Sequence, residues 1–301
     1  MNMVETRGLG KRYRRTWALA DCSLTVPAGC VTALVGPNGA GKTTLLHLLA
    51  GLVTPTCGTA VVLGGARPGD PAVRDQVALV AQDAPVYERM SVRDALRAAR
   101  GLNGRWDQRY AEVRLASRDI PFQARVGKLS GGQRAQLALT LALARHPSLL
   151  LLDEPLAALD PLARREVLGS LLAEVLDEGV SVIFSSHVLA DLENVASYLV
   201  VLGRGDVLLA GRLESILTEH RMLTGPAAQA RDLTQRLSVI DSTVAGRQAH
   251  LLARCAGEPE GWHSRDVTME EVVLGYLRAV DAGHPPGPPP VPAPQVVGAG
   301  R

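Results

Sequence analysis

The run VTALV (31–35) followed by GPNGAGKTTLL (36–46) is the stretch on which the fold turns. This short, largely apolar run reads as a strand buried on both faces, and a glycine-rich loop then leads into Lys-Thr-Thr. GPNGAGKT fits the pattern G-x-x-x-x-G-K-[ST] in the context that pattern needs, after a strand and at the opening of a helix. Gly36, Gly39 and Gly41 can take backbone angles closed to other residues, so successive N–H groups can curl around an anion. The helix beyond adds the partial positive charge of its N-terminus. Lys42 is placed to reach the β- and γ-phosphates of a nucleotide, and the Thr43 hydroxyl to ligate Mg²⁺. The plainer alternative is a Gly-rich turn between a strand and a helix.

Composition sets the outer bounds. The 301 residues, 47% of them apolar, suit one large domain and something smaller. Aromatics are 3%, which leaves Leu, Val and Ala to fill the core. A formal charge of +2 gives no support to a broad nucleic-acid-binding face. Cys22, Cys30, Cys57 and Cys255 form no C-x-x-C pair, which fits a reducing cytoplasm better than a zinc site or a disulfide framework. The N-terminal twenty residues lack the apolar core of a signal peptide, and no run of 18 apolar residues occurs. The chain is therefore expected not to cross a membrane by itself.

Along the chain, apolar runs at 31–35, 76–81, 148–153, 180–186 and 198–202 read as buried strands. Helical patterns lie between them at 42–50, 91–100, 132–145 and 161–177, which predicts an α/β fold with a mostly parallel sheet. Residues 88–145 hold helical patterns only and read as an insertion between two strands. The pattern weakens after about 215. Residues 216–280 are mixed in pattern, end in a short helix and look too short and too helical for a regulatory β-domain. The Pro/Gly-rich 284–301 reads as a disordered or extended tail.

The second half of a phosphate site is LLLLDEP (149–155). A buried strand that ends in two carboxylates is costly unless they have partners. Asp153 can hold Mg²⁺, and Glu154 can polarise an attacking water as general base. The alternative is a pair that caps the following helix.

LSGGQ (129–133) resembles the signature motif of ATP-binding-cassette (ABC) proteins, twenty residues before Asp153 as in that family. Gln82 matches the Q-loop glutamine, LAALD (156–160) the D-loop with Asp160 in place, and His187 in FSSH the switch histidine. Tyr13 in GKRYRR matches the aromatic that stacks on adenine, with Trp17 as a second choice because Arg14 and Arg15 stand where the family often has glycine. Ala157 replaces a common Ser before the D-loop. Taken singly, these residues also suit a polar loop, a helix cap, a surface histidine or a core-edge tyrosine. The resemblance covers about residues 3–212.

The resemblance implies a P-loop cassette with a mostly parallel core sheet, an antiparallel β subdomain and an inserted helical subdomain at about 88–145. The cassette would span 1–215, with a small extension at 216–283. It implies an ATPase that uses ATP and Mg²⁺ and works as a homodimer or heterodimer. Each nucleotide would lie between Gly36, Pro37, Asn38, Gly39, Ala40, Gly41, Lys42, Thr43 and Thr44 of one subunit and Ser130, Gly131, Gly132 and Gln133 of the other. Gln82 would sense Mg²⁺ and the partner, and His187 would contact the γ-phosphate. The implied partner is a membrane permease on a separate chain, which places the protein at the cytoplasmic face of a bacterial membrane. DAPVYERMSVRDALRAARGLNG (83–104) and VTMEEVVLGYL (267–277) resemble segments of export-type members of the ABC-2 class. Import, control of a membrane complex, and action on ribosomes or DNA are the alternatives.

Overall fold

The computed structural model describes residues 1–82, 86–157, 159–186, 188–189, 192–193, 195–255 and 257–283. His187 and the 284–301 tail lie outside the described residues. An antiparallel sheet is built from β1 (Asn2–Tyr13), β2 (Thr16–Pro27) and β4 (Cys57–Val62), in the order β2-β1-β4. The core sheet holds β3 (Val31–Val35), β5 (Val77–Val80), β6 (Leu149–Asp153), β7 (Ser181–Ser185), β8 (Tyr198–Gly203) and β9 (Asp206–Arg212). Its order is β5-β6-β7-β3-β8-β9, parallel throughout except for the antiparallel β8–β9 pair. Helices α1 (Lys42–Leu49) and α2 (Pro71–Arg74) connect the early strands, and α6 (Pro161–Asp177) joins β6 to β7.

The period of two along each strand divides the core between two faces. Val31, Ala33 and Val35 of β3 share one cluster with Leu150, Leu152, Val182, Phe184 and Val201. Leu34 belongs to the opposite cluster, with Leu149, Leu151, Ile183 and Val200. The first face packs Leu168 and Leu171 of α6; the second packs Leu45, Leu48 and Leu49 of α1 and Leu19 of β2. Both faces are covered, which is why these strands read as unbroken apolar runs. Each fully buried Leu or Val contributes about 1.5–3 kcal/mol. Burial pushes the Cys22 thiol up to about 12, so it fills space as a neutral group.

Between β5 and β6 the chain forms α3 (Val92–Leu102), α4 (Gln108–Ala116), a single 3-10 turn (Val126–Lys128) and α5 (Gly131–Leu143). Ser91 caps α3 by accepting from the Asp94 N–H, and Asp107 caps α4 by accepting from the Tyr110 N–H. These helices share a small core of Val92, Leu96, Leu115, Ile120 and Leu137. Glu174 on α6 ties that core to the sheet lobe, accepting from Tyr110 at 3.0 Å and pairing with Arg114 at 2.9 Å and Arg118 at 2.6 Å.

The C-terminal region corrects one expectation. Residues 216–280 are not mainly helical but contain a four-stranded antiparallel sheet. It follows α7 (Leu213–Glu219) and comprises β10 (His220–Pro226), then after α8 (Ala227–Arg236) the strands β11 (Ser238–Ala245), β12 (Gln248–Arg254) and β13 (His263–Arg265). The order is β11-β12-β10-β13, and α9 (Met269–Asp281) closes the chain. Exposed and half-buried polar residues interrupt β10 and β11, so neither shows a continuous apolar run. Leu233 of α8 packs with Leu223, Leu251 and Trp262 on one side of the sheet. Leu252, from the other side, joins Val272, Val273 and Tyr276 of α9 in the same cluster as Leu199 and Val201 of the core sheet. Gly275 makes that approach possible, because a Cβ there would come within 2.2 Å of Leu252 Cδ2. Among the described residues no helix is long and apolar enough to cross a membrane.

Candidate nucleotide-binding site

The loop after β3 is held open by contacts that only glycine permits. Gly36 has φ +156°, and a Cβ on it would lie 2.3 Å from the Leu202 carbonyl oxygen. Gly41 has φ +104°, and its Cβ would meet Ala18 O at 2.5 Å and Leu19 Cδ2 at 2.6 Å. Gly41 is also the N-cap of α1 and supplies no side-chain bond, so the first N–H groups of the helix are left for another acceptor.

Lys42 lies back under the loop, nearly buried. Its ammonium donates to Gly36 O at 2.7 Å and Pro37 O at 3.2 Å and stands 3.8 Å from Glu154 Oε1. Asn38, Gly39, Gly41, Lys42, Thr43 and Thr44 line a cavity of about 700 Å³ that Gln82 and Glu154 also face. Ala40 is buried beneath the loop. Ala18 and Ala157 complete the wall. Ala18 carries no chemical signal in the sequence, and it reaches the loop through an irregularity in the β1–β2 register between Lys11 and Arg12.

At the tip of β6, Asp153 is 2% exposed. Its Oδ1 accepts a hydrogen bond from Ser185 Oγ at 2.8 Å. Glu154 follows in the left-handed region at φ +45°. The two carboxylates stand at the strand end, Glu154 at the cavity wall, and a different side chain caps the next helix. That cap is Asp160, whose Oδ1 accepts from the Leu162 and Ala163 N–H groups at 3.0 Å each.

Other expected site residues lie apart from the cavity wall. Ser130 caps α5 in a reciprocal pair with Gln133, with bonds of 3.2 Å and 3.1 Å, and Gly131 and Gly132 form the first turn behind it. Tyr13 stands exposed at the β1–β2 hairpin, its ring centroid 5.2 Å from the Lys11 ammonium. Trp17 is equally exposed, with the Arg12 guanidinium 5.5 Å from its ring. Arg14 occupies the hairpin turn at φ +54°, a conformation glycine takes more readily.

A phosphate loop between a central parallel strand and a helix, facing a strand-end carboxylate, defines a P-loop nucleoside triphosphatase. The sequence model of the family described as "ABC transporter" matches residues 19–157. An uncharacterized ABC transporter ATP-binding protein, YxlF of Bacillus subtilis strain 168, is 35% identical over 73% of this chain and 74% of its own length. A probable multidrug ABC transporter ATP-binding protein, YbhF of Escherichia coli strain K12, is 32% identical over 86% of this chain, which spans 47% of that relative. The aliphatic sulfonates import ATP-binding protein SsuB of Shigella flexneri serotype 5b (strain 8401) is 37% identical over 67% of this chain and 77% of its own. A solved ATP-binding subunit of an ABC transporter superposes with a TM-score of 0.62 at 28% identity, covering 71% of this chain and 91% of that one. The chain belongs to the ABC transporter ATP-binding family. It is an ATP-binding subunit of an ABC transporter and an ATPase.

Proposed function

We propose that this ATPase drives export through a separate membrane-spanning partner, as one of two ATPase subunits at the cytoplasmic face of the membrane. The observation that carries the catalytic assignment is the cavity in which Lys42, Thr43, Gln82 and Glu154 converge. Lys42 would leave the carbonyls of Gly36 and Pro37 for the β- and γ-phosphates, and the uncapped start of α1 would take phosphate oxygens. Glu154 would accept a proton from the attacking water, with His187 at the γ-phosphate. Tyr13, or Trp17 in its place, would stack on adenine. Ser130–Gln133 would close over the nucleotide bound by the other subunit, with Asp160 at the dimer seam.

The residues present fit Mg²⁺. Asp153 is a nearly buried carboxylate whose hydrogen-bond partner, Ser185, is neutral, and a Thr hydroxyl and a Gln amide stand at the adjoining cavity. Such an all-oxygen set with a single carboxylate suits a cation that keeps waters and substrate phosphates as its other ligands. Thr43, Asp153 and Gln82 would hold it, and it would neutralise charge on the phosphates.

A second cavity, of about 560 Å³, supports the membrane partner. Leu79 and Val80 of β5, Ala95, Ala98 and Leu102 of α3, and Leu141 of α5 line it, with Tyr87 and Met90 at its side. An apolar trough of this size accepts the apolar face of a short helix. What supports export is the reach of the multidrug relative: a match over 86% of the chain cannot end at residue 212 and must enter the C-terminal unit. Import is the second reading, favoured by the C-terminal sheet, since its strands remove one argument against a β-rich extension of the importer kind.

Affinity capture of the chain from detergent-solubilised native membranes tests this. A multi-span protein in stoichiometric amount is expected, and Leu102→Glu should release it without changing the ATPase rate of the isolated chain. Capture of ribosomal or DNA-repair proteins instead would overturn the transporter partner.

A further inference from the structure

Ser185 is fully buried at the end of β7 and pairs in parallel register with Asp153. Its hydroxyl donates to Asp153 Oδ1 at 2.8 Å and accepts the Glu154 backbone N–H at 3.0 Å. The same N–H lies 3.2 Å from the Ser185 carbonyl oxygen. A serine hydroxyl has one proton to give and lone pairs to receive, so donation to the carboxylate and acceptance from the amide form one compatible arrangement. Among the described residues no other hydrogen bond reaches the Asp153 carboxylate, so this contact sets its orientation within the buried strand end. Glu154 stands at φ +45°, where a side chain clashes with its own backbone, and its amide is held by Ser185.

The hydroxyl is not required to align the strands. The β6–β7 ladder already pairs Leu149, Leu150, Leu151 and Leu152 with Ser181, Val182, Ile183 and Phe184. An alanine at 185 would serve for burial alone. We propose that Ser185 is a positioning residue for ATP hydrolysis, one hydroxyl that fixes the carboxylate of Asp153 and the backbone of Glu154 as a unit. This rests on the reading that Asp153 serves the cation and Glu154 the water. Ser185 itself touches neither nucleotide nor water in this scheme. Its influence is on where the two acids stand.

The test compares Ser185→Ala, Ser185→Thr and Glu154→Gln in the full chain. Ser185→Ala is expected to lower kcat about tenfold, the scale of one lost hydrogen bond to a charged group, with a smaller rise in KM. Affinity for a fluorescent ATP analogue in EDTA should stay constant while the gain in affinity on adding Mg²⁺ shrinks. Exchange of the Glu154 amide hydrogen should accelerate. Ser185→Thr, which retains the hydroxyl, should restore a large part of kcat and the slow exchange. Adding Ser185→Ala to Glu154→Gln should cost nothing further, because both act on one step. Unchanged kcat in Ser185→Ala beside a dead Glu154→Gln would overturn the role of Ser185 and leave the two acids in theirs. An equal loss of nucleotide affinity with and without Mg²⁺ would reduce Ser185 to a fold residue and overturn the proposal. Normal turnover in Glu154→Gln would remove the site reading and the positioning role together.

Discussion

The phosphate loop and the C-terminal sheet are held in place by opposite devices. Residues 36–41 bury one side chain, Ala40, and are fixed by backbone-to-backbone contact, with Gly36 against Leu202 O and Gly41 against Ala18 O. Residues 220–280 are fixed by side chains: Leu223, Leu251 and Trp262 on one face, Leu252 and Tyr276 on the other, and a buried polar pair where α7 meets β10. In that pair His220 donates from Nδ1 to Ile216 O at 2.7 Å, since a carbonyl only accepts. Its Nε2 then receives the Tyr276 hydroxyl at 3.0 Å. A site shaped by backbone leaves its polar groups for a ligand, whereas a unit shaped by packing spends them on itself. Substitutions should therefore damage rate in the first region and stability in the second.

The strongest break in that comparison is Lys42→Ala. Steady-state ATPase assays should show kcat/KM down by about 10²–10³-fold, the range for loss of one charge-stabilising donor, while thermal unfolding changes little. Normal turnover would remove the phosphate-loop assignment. Tyr276→Phe should do the reverse, because it leaves the buried His220 Nε2 without a donor. Denaturant titration should show a loss of about 1–3 kcal/mol with the ATPase rate unchanged.

The His220 imidazole also gives the C-terminal unit a pH signature. Burial lowers its pKa below the ordinary 6.5, with the nearby Arg254 acting in the same direction. The unfolded chain binds that proton first, so the contribution is full above pH 6.5 and declines as the medium is acidified below it. His220→Gln should flatten the stability curve in that acid limb, as read by unfolding at a series of pH values. Arg14→Gly comes next in size. It removes a left-handed arginine from the hairpin and should raise stability by about 1 kcal/mol, measured as a higher melting temperature. The smallest effect belongs to Arg278→Ala. This breaks an ion pair with Asp241 at 3.2 Å in which the arginine is largely exposed, and should cost about 0–1 kcal/mol.

The strands of the core sheet were legible because both faces are buried, which leaves VTALV and LLLLD apolar, Thr32 apart, until the site itself begins. The site was legible because phosphate chemistry restricts its residues to glycine, lysine, a hydroxyl and carboxylates. The C-terminal strands were not, because β11 is exposed at five of its eight positions and β10 mixes Arg, Thr, His and Gly among its apolar residues. Neither strand carries an unbroken apolar run or a clean alternation to read. The 91–143 helices fall between these cases: their caps at Ser91, Asp107 and Ser130 stand in the sequence, but the clamp of Arg114 and Arg118 on Glu174 joins residues 56 and more positions apart.

The sequence by itself determined the nucleotide chemistry, the parallel core and the family, because each depends on residue type at short spacing along one chain. Tertiary structure alone decided which carbonyls hold Lys42, that Ala18 closes the cavity, that Asp160 caps a helix and that Ser185 links the two acids. It also decided that residues 220–281 build a sheet and a closing helix against the core sheet. These facts rest on contacts between residues far apart in the chain, where burial and hydrogen bonding select partners that local spacing does not specify.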